Sequence, residues 1–184
     1  RFGAEDPDAF ARNCLHRAIE HLIESVPKRH GGRLMQLVRA HREDFFDAAI
    51  DQFEQALKGN PDNAQIYADL GAAQLEKGMI EIQNGAVSPG AEVGKGMENF
   101  AKSLQNLNKA LQLNGSLQEA LFNRALLHGA MGLLPQAEAD WHKYLENDPN
   151  SKWADEARRK LTEIEQQLKK TSVSKEEIFQ SFLN

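Results

Sequence analysis

Apolar residues recur along most of this chain at intervals of three and four, which places them on one face of an α-helix. Phe10, Cys14, Ala18, Leu22 and Val26 form the first stripe, beside Ala11, Leu15, Ile19 and Ile23. Asp6-Pro7-Asp8 supplies a cap and a first-turn proline, and Pro27 and Gly31-Gly32 end the helix. Leu34, Leu37 and Val38 mark a second helix to about Glu43, which could run into the one holding Ala49 and Phe53. Trp153, Ala154, Ala157, Leu161, Ile164 and Leu168 form the stripe of another, from Trp153 to about Lys169. Thr171-Ser172-Val173-Ser174 reads as a break. Ser174-Lys175-Glu176-Glu177 then resembles a capping box before a short helix with Ile178, Phe179, Phe182 and Leu183 on one face. The pattern predicts an all-α protein of seven or eight helices with no sheet.

The middle of the chain repeats itself. Ala49 and Ala137, Pro61 and Pro149, share one spacing, equal to two periods of about 34 residues plus about 20 more. Ala49, Phe53, Ala56 and Pro61 form the second half of one unit. Tyr67, Leu70, Gly71 and Gly78 open the next, which closes late with Leu107, Ala110 and Asn114-Gly115. The last unit runs Leu121, Ala125, Gly132, Ala137, Trp141, Pro149. This resembles the tetratricopeptide repeat (TPR), a helical hairpin that stacks into a superhelix. The resemblance implies about three repeats with flanking and capping helices. Gln74, Arg124 and Tyr144 depart from the pattern. Small Gly71 and Ala125 suit close helix approach, and Gly78 and Gly132 suit left-handed helix ends.

The surplus residues fall between the hairpin helices of the middle unit, at about 79–98. Gly85, Pro89, Gly90, Gly94 and Gly96 predict a mobile loop there. The expected division is thus a flanking helix at 1–29, a TPR domain at 30–169 with its capping helix at 152–169, and a tail at 171–184. The short tail helix needs an apolar docking site, and docking in the groove of a second copy would make a homodimer.

Residues 119–126 through Gly132, with Trp141, Tyr144-Leu145, Asp148-Pro149 and residues 151–157, also resemble the TPR region preceding the caspase-like CHAT protease domain of large bacterial proteins. That implies a scaffold or a regulatory segment of a larger protease. No His and Cys dyad matches here, and Cys14 is the only cysteine.

The chain has 184 residues and a net charge of −5, unlike a nucleic-acid binder. No apolar run is long enough to cross a membrane and no signal peptide is visible, so a cytoplasmic location is the default. The basic stretch from Lys28 to Arg42 lacks interleaved aromatics and reads as a solvated face. Gly90 to Gly96 is one residue short of a phosphate-binding loop and lacks its hydroxyl. His16 and His21 stand about 140° apart around a helix, so they do not form a zinc pair. His128 sits where the repeat carries a packing residue. No catalytic residue, cofactor or metal ligand is therefore expected.

The concave face of such a solenoid is lined by the first helices of its units. On that geometry the groove positions are Gln65, Ala68, Asp69, Ala72, Leu75 and Glu76, then Glu119, Phe122, Asn123 and Leu126, with Gly129 and Ala130, and finally Trp153. Some repeat proteins clamp acidic chaperone tails with Lys, Asn and Arg. This sequence resembles that clamp only at Asn123, with Ala68, Ala72, Trp153 and Ala157 at its other positions. The expected activity is non-catalytic binding of a protein partner through an apolar peptide or amphipathic helix.

Overall fold

The computed structural model describes residues 46–47, 49–85 and 91–183, with the backbone alone at 91–92, 152 and 172–183. The helices expected at 1–29 and 34–43, Cys14 and the basic stretch lie outside the described residues. The chain divides into two units, Arg1–Asp51 and Gln52–Asn184. Of the first, the described residues are helical, and Phe46 is buried.

Among the described residues every element is helical. Helix α1 (residues 49–59) is followed by α2 (Ala64–Gly85), α3 (Ala91–Leu113), α4 (Gln118–Ala130), α5 (Leu134–Asn147) and α6 (Lys152–Leu183). Helix α2 packs along α3, α4 against α5, and α5 against α6. Helix α4 also touches both α3 and α2. This is the neighbour pattern of stacked antiparallel hairpins, in which a first helix meets its own partner and the first helix of the adjacent unit.

Two apolar clusters hold the stack. Leu75, Phe100, Leu107 and Leu127 join α2, α3 and α4. Leu121, Phe122, Trp141, Tyr144, Ala157 and Leu161 join α4, α5 and α6. Leu111 and Leu126 pack against both clusters and make the core continuous. Each large aliphatic side chain buried here contributes roughly 1.5–3 kcal/mol of transfer free energy.

The polar turns end the helices as their chemistry requires. Asn63 Oδ1 accepts the backbone N–H groups of Gln65 and Ile66, at 2.9 and 3.2 Å, and caps α2. Asn114 Oδ1 accepts from the Ser116 N–H at 3.2 Å in the Asn114-Gly115-Ser116 turn. Helix α4 closes on Gly132, whose φ of 72° is the left-handed conformation expected of it. There the Leu133 N–H donates to the His128 carbonyl at 2.8 Å, the long bond of a glycine-terminated helix. Ser151 Oγ caps α6 by accepting from the Trp153 and Ala154 N–H groups.

Three expectations are corrected. The surplus near 79–98 is not a loop of about 20 residues: α2 continues to Gly85 and α3 begins at Ala91. Both helices of the middle hairpin are long, at 22 and 23 residues against 13 and 14 in the next. Gly78 does not end a helix but lies inside α2. Glycine there serves close approach, since a Cβ on Gly78 would come within 2.9 Å of the Gly96 carbonyl oxygen. A Cβ on Gly96 would meet Ile82 Cγ1 at 2.5 Å. Finally, the helix from Lys152 does not break at Thr171–Ser174 but runs to Leu183. The Thr171 hydroxyl donates to the Gln167 carbonyl at 2.9 Å, the helical back-bond that accommodates threonine within a helix.

Candidate interaction groove

The departures from the repeat pattern are paired with one another. Gln74 is buried, and its Oε1 accepts from Asn106 Nδ2 at 2.8 Å across the α2–α3 seam. On the same seam the Ser103 hydroxyl donates to the Gly71 carbonyl at 2.6 Å, and Asn99 Nδ2 donates to Glu81 Oε2 at 2.7 Å. Arg124 and His128 both reach Asp140. Arg124 Nη2 lies 2.5 Å from Oδ1, its Nε donates to Oδ2 at 2.9 Å, and its Nη1 donates to Asn108 Oδ1 at 2.7 Å. His128 Nδ1 lies 3.0 Å from Asp140 Oδ2. Burial works to raise the Asp140 pKa, but the hydrogen bonds from His128 and Arg124 and the guanidinium charge outweigh it. The carboxyl is held below its ordinary value. It is therefore ionised near neutrality, accepts only, and His128 Nδ1 carries the shared proton.

Tyr144 stands where a small residue is usual. Its hydroxyl donates to Asp148 Oδ2 at 2.8 Å, and Ser151 donates to the same oxygen. Burial, reinforced by the Asp148 carboxylate, pushes the phenol pKa up. Glu81 and His128 belong to different seams, α2–α3 and α4–α5, and each already has a structural partner.

The residues expected to line the groove separate into two sets. Gln65, Asp69, Ala72 and Glu76 on α2 are half-exposed, as are Glu119 and Leu126 on α4 and Trp153 at the head of α6. Ala68, Leu75 and Phe122 are instead core residues, with 0, 1 and 8% exposure, and Asn123 is buried as well. Phe122 is the hub of an aromatic cluster. Its ring meets Trp141, Tyr144 and Trp153 edge-on at centroid distances of 4.9, 5.3 and 5.7 Å. Such contacts are worth about 0.5–1.5 kcal/mol each beyond area burial. The stack turns this face of α4 into the seam with α5 and α6, which repeat geometry without α6 in place does not reveal.

A depression of about 230 Å³ is lined by residues of α2, α4, α5 and α6. Met79, Leu126, Ala130, Leu134 and Ile164 give it apolar walls, and Lys160, Glu163 and Gln167 stand at its α6 side. Lys160 Nζ lies 3.4 Å from Glu163 Oε2. Leu126, Gly129 and Ala130 are among the groove positions expected from the sequence. Met79 and the α6 residues are not, although Lys160, Glu163, Ile164 and Gln167 fall at i, i+3, i+4 and i+7, one face of a helix.

Comparison with known proteins agrees with the helical-hairpin fold. A family model described as TPR repeat matches residues 46–78. Hsp70-Hsp90 organizing protein 3 of Arabidopsis thaliana is 26% identical over an alignment covering 79% of the chain; the chain spans 27% of that relative's length. The first TPR of Spaghetti (RPAP3), solved bound to the HSP90 peptide SRMEEVD, is 23% identical with a TM-score of 0.53. That match covers 70% of this chain and 83% of that one. The first TPR domain of human RPAP3 is 21% identical with the same TM-score, covering 84% and 98%. The chain carries a tetratricopeptide repeat and has the tetratricopeptide fold.

Proposed function

We propose that this chain is a non-catalytic protein-interaction module that binds an apolar peptide or one face of an amphipathic helix in the groove lined by α2, α4, α5 and α6. The observation that carries the reading is the apolar depression walled by Met79, Leu126, Ala130, Leu134 and Ile164. Its volume suits one or two aliphatic side chains, and an amphipathic helix anchors itself in such grooves through residues at i, i+3 or i+4, and i+7.

The RPAP3 domain was solved with an acidic peptide, and the groove chemistry of this chain argues for a different one. Its half-exposed groove positions include Asp69, Glu76 and Glu119. Ala68, Ala72 and Ala157 put no cation where the chaperone-tail clamp has polar and basic groups. Carboxylates along a groove disfavour an acidic ligand.

The test is a peptide-display selection on the whole chain, followed by affinity measurements. Selected peptides should be apolar or amphipathic, and Leu126→Glu and Ala130→Glu should each weaken them at least tenfold. Ala130 is exposed, so its replacement leaves the core intact. SRMEEVD should bind no better than a scrambled control. Tight binding of SRMEEVD, or selected peptides indifferent to both substitutions, would overturn the proposal.

A further inference from the structure

Glu138 and His142 stand four residues apart on α5 and so share a face of that helix. Glu165 reaches the same place from α6. One ligand-type atom from each of the three lies within 4.8 Å of the other two. The site is at the surface: Glu138 and Glu165 are half-exposed and His142 is exposed.

Other carboxylates of α6 have cationic partners within one helical turn. On α6, Asp155 pairs with Arg158 at 2.8 Å, Glu156 with Arg159 at 2.9 Å, and Glu163 with Lys160 at 3.4 Å. Among the described residues no lysine or arginine pairs with Glu138 or Glu165. Two carboxylates and an imidazole are thus brought together across the α5–α6 seam. Like charges so placed repel unless a cation lies between them.

We propose that Glu138, His142 and Glu165 bind a first-row divalent cation, with zinc the best match, and that the ion ties the capping helix α6 to α5. An imidazole nitrogen with two carboxylates is a borderline ligand set, which favours such ions over magnesium or calcium, whose preference is for oxygen alone. Nitrogen and oxygen ligands sit about 2.0–2.2 Å from zinc, so donor atoms around one ion lie roughly 3–4 Å apart. Small rotations of three half-exposed or exposed side chains bring the present arrangement to that span. Water completes the coordination. Because the ligands come from two helices, the ion stabilises the docked arrangement in proportion to its affinity.

The test uses the whole tag-free chain, stripped with a chelator and titrated with zinc chloride by calorimetry and thermal melting. One equivalent should bind, the melting point should rise, and excess magnesium should not compete. His142→Ala and Glu165→Gln should each weaken binding at least tenfold while leaving the metal-free melting point near that of the parent. Replacing His16 and His21 together should change nothing, which separates this site from the histidines near the start of the chain. Absence of zinc binding would overturn the proposal. So would parent affinity retained in His142→Ala, or binding lost only when His16 and His21 are replaced.

Discussion

Arg124 grips Asp140 with two nitrogens, Nη2 at 2.5 Å from Oδ1 and Nε at 2.9 Å from Oδ2. Helix α4 is thereby locked to α5 through a carboxylate that is almost wholly buried. Such a pair costs little while intact and much when halved, because the remaining charge loses its partner. Asp140→Ala should destabilise the protein by on the order of 3 kcal/mol in urea denaturation. Replacing Arg124 and Asp140 together by alanine should cost less than the sum of the single changes. Additive costs would mean the two residues act independently.

The same carboxylate predicts an acid response. Its pKa is held below the ordinary value of 3.8 by His128 and Arg124. A depressed folded-state pKa contributes stability that is complete above the unfolded-state value and is lost as pH falls toward the folded one. Stability of the parent should therefore fall more steeply below about pH 4 than stability of Asp140→Asn. Parallel pH profiles in urea denaturation would show that Asp140 carries no such coupling.

Trp141 is 1% exposed and meets Phe122 and Tyr144 edge-on. Truncation to alanine removes the largest fully buried side chain and leaves a cavity among three helices. The expected cost is about 3–5 kcal/mol, which lowers the melting point by on the order of 10 °C. A shift of only a degree or two would mean that α5 and α6 are held by something else.

The long middle hairpin gives a paired prediction. A Cβ on Gly96 would meet Ile82 Cγ1 at 2.5 Å and the Gly78 carbonyl oxygen at 2.8 Å, whereas one on Gly94 would meet nothing within 4 Å. Gly96→Ala should destabilise by about 1–3 kcal/mol. Gly94→Ala should stabilise by about 0.5–1 kcal/mol, because alanine suits an exposed helical position. Thermal melting distinguishes this from a loop, in which neither substitution would matter.

The repeat skeleton was legible because it rests on local chemistry. Gly132 had to end a helix, Pro61 and Pro149 had to lie in the turns between helices, and Ala125 had to sit under a neighbour. The long hairpin was hidden because glycine has two uses. Gly78 and Gly96 look like loop punctuation in one dimension, yet they let two helix backbones cross closely in three. The groove was half legible. Leu126 follows from repeat register alone, but Phe122 is claimed by Trp141, Tyr144 and Trp153, which converge only when α5 and α6 are in place. The Asp140 cluster was equally out of reach, since Arg124 and His128 look like separate departures until one carboxylate joins them.

The central claim concerns where a partner binds. Hydrogen exchange of the whole chain, with and without a peptide selected by display, tests it most directly. The account predicts new protection along α4 from Leu126 to Ala130 and along α6 from Lys160 to Gln167. Protection confined to the exposed side of α3, around Lys102 and Gln105, with these segments unchanged, would contradict it.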